Sequence, residues 1–483
     1  MKKLLFLIGI LSSGLYGASI DHIQTYSPDY LSNQAQTGMI DEVSPYYNPA
    51  GLSRLDKGKY VHLGLQLANG HEKMSYKGKE HKAHLTQLIP NVSLTSVDDN
   101  GAYFFTFGGL AGGGKLEYDG VSGIDVLSDL AQFKPLGVYD KGSTLTGKNL
   151  YEQATLGRAF TINDQLSVSV AGRIVHGSRN LSGTLNIGTN PSTAYKQAKV
   201  QQVTQEVSKA VDAATQGSGL SAAQIAAIKQ QKTTQALTLL QTKMNALQQN
   251  GLSGDLDSKR EAWGYGFQLG VNYKVNDKLN LAARYDSRIK MNFKAKGSEN
   301  QLQTADIIGS NIGLSTFYPQ YAINSKIRRD LPAILSVGAS YKVTDNYLVS
   351  TSANYYFNRH AKMDRVTTFG GHEHGRDYKN GWEIALGNEY KLNDKFTLIG
   401  SVNYARTGAK NSSFNDTEYA LNSVTLGAGL RYKYDETLSI TGSVAHFIYD
   451  KEDGNFKEKY KVNDNQKYHK EITAFGLSVT KKF

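Results

Sequence analysis

Apolar and polar residues alternate along most of the chain with a period of two. In the segment 263–273, Trp263, Tyr265 and Phe267 alternate with glycine, glutamine and asparagine, and the segments 396–404 and 424–434 repeat the pattern. Because successive side chains of a β-strand point to opposite faces, such alternation predicts strands with one apolar face and one face of polar or very small residues.

Short turns rich in Asn and Asp connect pairs of consecutive segments. Both residue types tolerate the left-handed conformation and bond to their own backbone, as tight hairpins require. The turns lie at 98–101, 162–165, 275–278, 343–346, 392–395 and 434–437. These six turns and seven long loops separate fourteen predicted strands, at 58–69, 84–97, 101–112, 150–161, 166–178, 261–274, 279–294, 332–343, 347–359, 380–391, 396–408, 420–433, 438–450 and 469–483.

Three features favour a transmembrane barrel over a soluble sandwich. The predicted strands exceed the usual length and suit a tilted membrane crossing of about nine to eleven residues, and short turns alternate with long loops. Aromatic residues gather at the strand ends, with Tyr273, Tyr341, Tyr390 and Tyr434 at one rim and Trp263, Trp382, Tyr404 and Tyr449 at the other. The sequence therefore predicts an all-β fold, a transmembrane 14-stranded antiparallel β-barrel over residues 57–483.

Composition and targeting signals indicate the cellular location of the protein. Residues 1–18 begin with a basic pair, continue with an apolar run and end in small residues, which predicts a secretory signal peptide. No later apolar run approaches the length of a transmembrane helix, and the chain has no cysteine for disulfides or thiolate metal sites. The net charge of +11 is spread along the chain, so an anionic outer leaflet fits it better than nucleic acid. No cofactor is predicted.

Three long loops differ in kind. Residues 113–149 are rich in Gly and Asp, and residues 295–331 are apolar for an exposed loop. Residues 190–259 are rich in Gln, Ala and Thr, and their apolar residues recur at helical spacing on both sides of a break at 216–219. This pattern predicts a helical hairpin outside the barrel, and we interpret its apolar stripe as helix-on-helix packing rather than ligand contact.

Together these features resemble the long-chain fatty acid transporter (FadL-type) family of outer-membrane proteins over nearly the whole chain. Each local match is short, but the matches occur in order on the fourteen-strand pattern. They are Tyr47-Asn48-Pro49-Ala50 before the first strand, Trp263-Gly264-Tyr265-Gly266-Phe267 followed by Arg284-Tyr285-Asp286-Ser287, Asp330-Leu331-Pro332, and Trp382-Glu383-Ile384-Ala385-Leu386-Gly387-Asn388-Glu389-Tyr390.

The resemblance implies a monomeric barrel closed by an N-terminal hatch, which here comprises residues 19–56. It implies passive transport, by facilitated diffusion, of hydrophobic compounds such as fatty acids or aromatic hydrocarbons, with Asn48, Pro49 and Ala50 in the gating hatch. Outer-membrane lipids, lipopolysaccharide and the barrel assembly machinery are further expected partners. The resemblance also implies lateral release where the third strand kinks, and the candidate residues are Gly108, Gly109, Gly112 and Gly113.

The glycines of the third strand have two interpretations from their chemistry alone. Glycine within a strand marks a bulge or a kink. The alternative is a flexible strand end before a loop. Both interpretations stay open at the level of the sequence.

Candidate charged and ligand-binding residues follow from the same placement. Asp41 and Glu42 of the hatch are expected to pair with Arg173 or Arg431 in the lumen. A carboxylate head group requires a cation, and the alternative is that the basic residues face the anionic outer leaflet. The ligand-binding candidates are the apolar Ile307, Ile308, Ile312, Leu314 and Phe317 and the basic Lys326, Arg328 and Arg329.

Three other classes of protein compete with a transporter. An enzyme is disfavoured, because the histidines are scattered and no Ser or carboxylate motif frames them. A general porin predicts an open lumen and ion conductance without a plug. The long insertion at 190–259 keeps a surface adhesin open as an alternative.

Overall fold

A closed ring of fourteen antiparallel strands forms the wall of the molecule. The computed structural model describes residues 27–120, 122–131, 133–296, 301–304, 312–313, 324–364, 366–367, 373–374, 378–414 and 419–483. Each strand pairs with the next along the chain, and the last strand pairs with the first. The strands are β1 (Gly58–Tyr76), β2 (Lys79–Asp98), β3 (Gly101–Tyr118), β4 (Thr144–Thr161), β5 (Leu166–Gly188), β6 (Leu252–Lys274), β7 (Leu279–Asp286), β8 (Ile334–Thr344), β9 (Tyr347–Tyr356), β10 (Gly381–Lys391), β11 (Phe396–Arg406), β12 (Ser423–Lys433), β13 (Leu438–Tyr449) and β14 (Lys467–Lys482).

Helices and short strands occupy the segment before β1 and the long loops. The α-helices are α1 (Asp29–Ser32), α2 (Ser44–Tyr47), α3 (Ser122–Asp125), α4 (Thr193–Thr215), α5 (Ala222–Asn250) and α6 (Phe456–Tyr460). Short 3-10 helices span Pro49–Arg54, Val126–Asp129, Lys134–Leu136, Asn358–His360 and Asn411–Ser413. Short strands span Tyr139–Asp140, Asn292–Lys296, Gln301–Thr304, Ile312–Gly313, Lys326–Arg328, Val366–Thr367, Glu373–His374 and Glu452–Asp453.

The two faces of the wall exchange polarity partway along the longer strands. Near the short turns of β2, Leu94 points outward and is exposed, whereas Ser93 points inward and is buried. Nearer the long loops, His84 is on the outer face and Leu85 is buried inside. A lipid-facing band explains the first arrangement, and an ordinary apolar interior explains the second.

This exchange corrects the predicted bounds of the first six strands. The prediction of fourteen strands joined by tight turns is confirmed. However, β1 continues to Tyr76 rather than ending at residue 69, and β6 begins at Leu252 rather than at residue 261. Beyond the lipid band the outer face is no longer apolar. A search for outward apolar residues therefore misses the loop-side part of these six strands.

The aromatic rims agree with the predicted pattern except at one position. Tyr273, Tyr341 and Tyr434 are exposed at the turn end of the barrel, and Trp263 is exposed toward the loops. Tyr449, which was assigned to the outer rim, is buried in a cluster inside the barrel. It lies at the end of β13, beyond the lipid band, where inward side chains are apolar.

The insertion between β5 and β6 forms the predicted helical hairpin. Ser192 caps α4, and Ser221 caps α5 in a capping box with Gln224. The two helices pack on each other, and Met244 and Leu247 are buried at the base of the hairpin. Among the described residues, no helix has the length and apolar character needed to cross a membrane.

Candidate functional site

Residues 27–54, which we call the plug, lie inside the ring of strands. The plug is buried except for partly exposed residues near positions 41 and 54. Glycines on the inner face of the wall leave the space that it fills. A Cβ added at Gly427 would lie 2.4 Å from the Leu31 carbonyl oxygen, and one added at Gly64 would lie 2.5 Å from Pro28 Cδ. The small inward residues of these strands therefore admit the backbone of the plug.

The inner faces of β11 to β14 around α1 form the seat of the plug. They include Gly427, Gly429 and Gly476, whose added Cβ atoms would each meet residues 28–34 within 3 Å. Ser401 Oγ donates to the Ser32 carbonyl at 2.8 Å. Ser478 Oγ donates to Asp29 Oδ1 at 3.0 Å, and Asp29 Oδ2 lies 3.3 Å from Nε2 of the buried His62. Polar side chains of the wall thus donate hydrogen bonds to a backbone carbonyl and to the carboxylate of α1.

The Asn48-Pro49-Ala50 bend is attached to the opposite wall. The Asn48 side chain accepts from Gly51 N at 3.2 Å, which caps the turn Pro49–Arg54. Its Nδ2 donates to Asn272 Oδ1 on β6 at 2.8 Å, and Ser167 Oγ on β5 donates to the Ala50 carbonyl at 2.7 Å. The bend is therefore more than a surface turn, because its own polar groups bond to the barrel wall.

The predicted ion pairs between hatch and wall are wrong in their partners. Arg431 of β12 pairs instead with Glu389 of β10, and 2.9 Å separates the two charged groups. Arg173 lies 3.4 Å from Asp286 and donates to Gln153 at 2.9 Å. Lumen carboxylates that are near in space but far apart in the sequence neutralise both arginines.

Asp41 instead organises the start of α2. Its Oδ1 accepts from Val43 N at 3.1 Å and from Ser44 Oγ at 3.3 Å. Burial raises the pKa of Asp41 to about 7, while the positive charge of Arg431 opposes this shift and Glu42 and Glu389 reinforce it. The protonation of the plug at this point therefore depends on pH near neutrality.

The pairing between β2 and β3 is interrupted beside the plug. Leu85 pairs with Leu116 and Asn91 pairs with Gly108, but the register shifts between these two pairs. We call this interruption, residues 86–90 of β2 and 109–115 of β3, the seam. It is bounded by regular ladder on both sides, so the loss of pairing between β2 and β3 is local.

Both strands contribute to the seam through their sequence. Gly112 and Gly114 of β3 have φ values of +106° and +66°, a region that residues with a Cβ rarely adopt. The register of β3 against β4 shifts at the same place. On β2, Pro90 has no N–H to donate, and its carbonyl oxygen lies 3.2 Å from the position of a Cβ at Gly108, so its backbone faces β3.

The plug reaches the edge of the seam through Tyr46. Asn91, where the regular ladder resumes, donates from Nδ2 to the Tyr46 hydroxyl at 2.8 Å. Arg284 on β7 donates to the Tyr46 carbonyl. Leu110, the buried residue at the bend of β3, belongs to the same hydrophobic cluster as Tyr46 and Tyr47. A movement of α2 would therefore alter the inner surface of the seam.

Apolar side chains fill the part of the lumen nearer the long loops. Ile289 and Phe293 follow β7 and lie against the inner faces of Gly264 and Gly177, where added Cβ atoms would be 2.4 Å and 2.8 Å away. The sequence predicts a strand face of polar or very small residues. In the structure the glycines of this face make room for a loop inside the barrel. The result is an apolar layer above the polar plug.

A second apolar cluster near the loops surrounds a buried ion pair. Lys470 Nζ donates to Glu72 Oε1 at 2.8 Å, and both side chains are fully buried. The ring of the loop residue Tyr419 covers the ammonium, with 4.3 Å between Nζ and the ring centroid. The loops are thereby joined to the wall by a charged contact within apolar surroundings.

The ligand-binding candidates whose side chains are described, Lys326, Arg328 and Arg329, differ in exposure and in partners. Lys326 is exposed, Arg328 donates to both carboxylate oxygens of Asp330 at 2.8 Å, and Arg329 is buried. Ile312 lies in a short strand of which the backbone alone is described. The remaining candidates, Ile307, Ile308, Leu314 and Phe317, lie outside the described residues.

Sequence reasoning missed Tyr46, Asn91 and the side chains that line the seam. One available signal was Pro90 within a strand, because proline is confined to positions where the ladder lacks a donor. The partners of Tyr46 are distant in sequence and left no local signal.

The fold and the plug together define a class, an outer-membrane β-barrel whose lumen is obstructed by its own N-terminal segment. Residues 140–483 match the family model of outer membrane protein transport proteins (OMPP1/FadL/TodX), and the chain belongs to this family. Its members are transporters of the outer membrane, so the predicted family, location and non-enzymatic class are confirmed.

Individual relatives are distant. Outer membrane protein P1 of Haemophilus influenzae is 24% identical over 329 residues, which cover 63% of this chain and 64% of that protein. The long-chain fatty acid transport protein of Escherichia coli K12 is 21% identical over 275 residues, covering 56% of this chain and 58% of that protein. Each of these alignments spans less than two thirds of the relative's own length.

Solved structures agree over nearly the whole chain. A Pseudomonas aeruginosa FadL homologue superposes with a TM-score of 0.63 at 15% identity, covering 98% of this chain and 100% of that one. The toluene transporter TodX of P. putida gives a TM-score of 0.62 at 16% identity, with coverages of 98% and 99%. At such identities the likeness establishes the fold.

Proposed function

We infer that this protein is a passive transporter that moves hydrophobic small molecules across the outer membrane and releases them sideways through the seam. The observation that carries this inference is the interruption of the β2–β3 ladder at the point where the plug contacts the wall. A barrel that only conducts solutes along its axis needs no opening in its side. An opening toward lipid suits a molecule that prefers lipid to water.

The capture step uses the apolar layer near the long loops. An apolar molecule that leaves water for this layer gains about 25 cal/mol for each Å² of its surface that is buried. The sequence candidates for contact with the apolar part of the ligand are Ile307, Ile308, Ile312, Leu314 and Phe317. Of the three basic candidates, Lys326 is the exposed one and suits a carboxylate head, since Arg328 already binds Asp330.

The release step requires a shift of the plug. The Asn48-Pro49-Ala50 bend is the hinge, because its contacts with Asn272 and Ser167 fix the C-terminal end of the plug to the wall. When α2 moves about this hinge, the hydrogen bond between Tyr46 and Asn91 breaks and the seam is uncovered. The concentration gradient and the transfer of the ligand into lipid drive the process, so no other energy source is required.

The substrate class is a long-chain fatty acid or an aromatic hydrocarbon. Relatives of this chain are called long-chain fatty acid transport proteins and toluene transporters, and both substrates are mainly apolar and narrow. A general porin is the weaker alternative, because the plug lies inside the ring of strands and apolar side chains lie above it. The helical hairpin gives the adhesin alternative one specific feature, a protruding surface that is independent of the transport path.

The test is reconstitution of the purified protein in liposomes. We expect uptake of a labelled long-chain fatty acid or of toluene together with little ion conductance. Replacement of Asn48, Pro49 and Ala50 by glycine should reduce uptake at least several-fold and leave the barrel folded. Large steady conductance without uptake of either ligand would favour the porin, and unchanged uptake in the glycine variant would exclude the bend as the hinge.

A further inference from the structure

The side chain of Gln87 lies across the inner side of the seam. It belongs to the unpaired stretch of β2 and is partly buried, on the same face as the buried Leu85 and Asn91. A Cβ added at Gly114 would lie 2.6 Å from Gln87 Oε1 and 3.0 Å from Gln87 Cβ. Gln87 therefore packs directly on the backbone of β3, where a cross-strand hydrogen bond would otherwise have joined the two strands.

Gln87 also donates a hydrogen bond to a backbone carbonyl that the interrupted β2–β3 ladder leaves without a cross-strand partner. Its Nε2 donates to the Leu88 carbonyl at 2.9 Å. Backbone carbonyls two residues apart in a strand point to the same side, and the Pro90 carbonyl faces β3, so the Leu88 carbonyl faces β3 as well. The Gln87 amide therefore supplies the hydrogen bond that the Leu88 carbonyl does not receive from β3.

A neighbouring apolar side chain fills the other part of the opening. A Cβ added at Gly109 would lie 2.8 Å from Ile89 Cγ2. Ile89 and Gln87 thus lie side by side over the glycine-rich bend of β3, and Asn91 with Tyr46 closes the end nearest the plug. Gln87 and Ile89 are partly exposed, whereas Asn91 and Tyr46 are buried, and Gln87 is the longer and more flexible of the two exposed side chains.

We propose that Gln87 is the specificity-determining residue of the seam, which opens by rotation of its side chain and sets the bulk of the molecule that passes. The proposal rests on the lateral route given as the proposed function. A single neutral hydrogen bond contributes little net free energy, so the amide can leave the Leu88 carbonyl and return after each passage. Straight chains and flat rings fit the resulting slot, whereas branched or multi-ring molecules do not.

The first test compares ligands of different bulk in the reconstituted protein. The probes are a straight-chain fatty acid and a fatty acid of similar hydrophobicity that carries a bulky multi-ring group. We expect Gln87→Ala to raise the uptake of the bulky probe relative to the straight one at least threefold. Thr86→Ala is the matched control, because Thr86 lies in the same unpaired stretch but points outward, toward Asn69.

A ratio of uptake rates that is the same in Gln87→Ala, Thr86→Ala and the unaltered protein would overturn the proposal. Failure of the unaltered protein to take up either probe would instead overturn the proposed function. The two failures are distinguishable because one concerns a ratio and the other an absolute rate.

The second test does not depend on transport. The chain has no cysteine, so a single introduced thiol reports one position. We expect a maleimide dissolved in the bilayer to modify Gln87→Cys through the seam and to leave Ser443→Cys unmodified, since Ser443 is a lumen position on β13 within continuous ladders. Equal protection of both thiols in folded protein would overturn the placement of Gln87 in a lateral opening.

Discussion

Gly112 in β3 and Gly427 in β12 are both strand glycines, yet they have opposite effects on the barrel wall. At Gly112 the positive φ bends the strand and the ladder breaks on both sides. At Gly427 the ladders to β11 and β13 continue without a register shift, and the missing side chain admits the Leu31 carbonyl. One glycine opens the wall at the seam, and the other closes the lumen at the seat.

The difference shows what a barrel gains from glycine beyond flexibility. In an extended conformation, glycine removes volume from one face and leaves the hydrogen bonds intact. In the left-handed region, it removes the strand from the ladder. The plug connects the two uses, because α1 occupies the seat and Tyr46 of α2 bonds at the edge of the seam.

The largest expected effect is that of a side chain at the seam. Gly112→Val would combine a positive φ, which costs roughly 1–2 kcal/mol, with a Cβ only 2.3 Å from the Asn149 carbonyl oxygen. We expect a loss of about 2–5 kcal/mol in unfolding free energy, measured by urea titration in detergent or liposomes. Gly172→Val is the control, since Gly172 is exposed on β5 with open space around it. Equal unfolding midpoints for the two variants would contradict a strained bend.

The next effect concerns the seat. Gly427→Leu should displace α1 at a cost of about 1–3 kcal/mol while the wall remains folded. We expect an increase in ion conductance in planar bilayers and faster proteolysis of the plug. Gly442→Leu on the outer face of β13 is the matched control, because nothing lies within 4 Å of its added Cβ. A sealed and protease-resistant Gly427→Leu protein would show that the plug does not depend on this space.

A smaller effect is expected when the missing donor on β2 is restored. Pro90→Ala supplies an N–H toward β3, and one new cross-strand hydrogen bond is worth about 0.5–1.5 kcal/mol. The seam should open less often, so ligand release should slow by roughly two- to tenfold. Hydrogen exchange of the backbone of β3 checks the same change independently. Unchanged exchange and release would mean that the bend of β3 alone keeps the seam open.

The smallest effect is a dependence of the stability of the plug on pH. Asp41 has an ordinary pKa of 3.8 and a raised pKa of about 7 in the folded protein, mainly because of burial. The folded plug therefore binds the proton more tightly, so its stabilisation is complete below the ordinary pKa and is lost as pH rises toward about 7. We expect protease protection of the plug to be greater at low pH, and Asp41→Asn to remove most of this dependence. Stronger protection at alkaline pH would instead indicate that an ion pair with Arg431 dominates.

Individual residues show how far sequence reasoning reaches. Alternation around Trp263 and Tyr265 predicted an outward apolar face, and these side chains are exposed. Tyr449 was assigned to the same rim and is buried, since the inner face becomes apolar beyond the lipid band. For Arg431 the sequence offered Asp41 as a partner, but Glu389 on a nearby strand is closer in space. The partner of Arg431 was predicted wrongly because it depends on which distant strand faces the residue.

The repeated strands, the tight turns and the helical hairpin are predictable from the sequence alone. These are consequences of local periodicity and turn chemistry, which act between residues close along the chain. The tertiary structure alone decided which glycines make space and which interrupt the ladder, and which lumen charges pair. The physical reason is that closure of the ring brings strands from across the whole chain around one plug, and contacts across that lumen have no counterpart in local sequence.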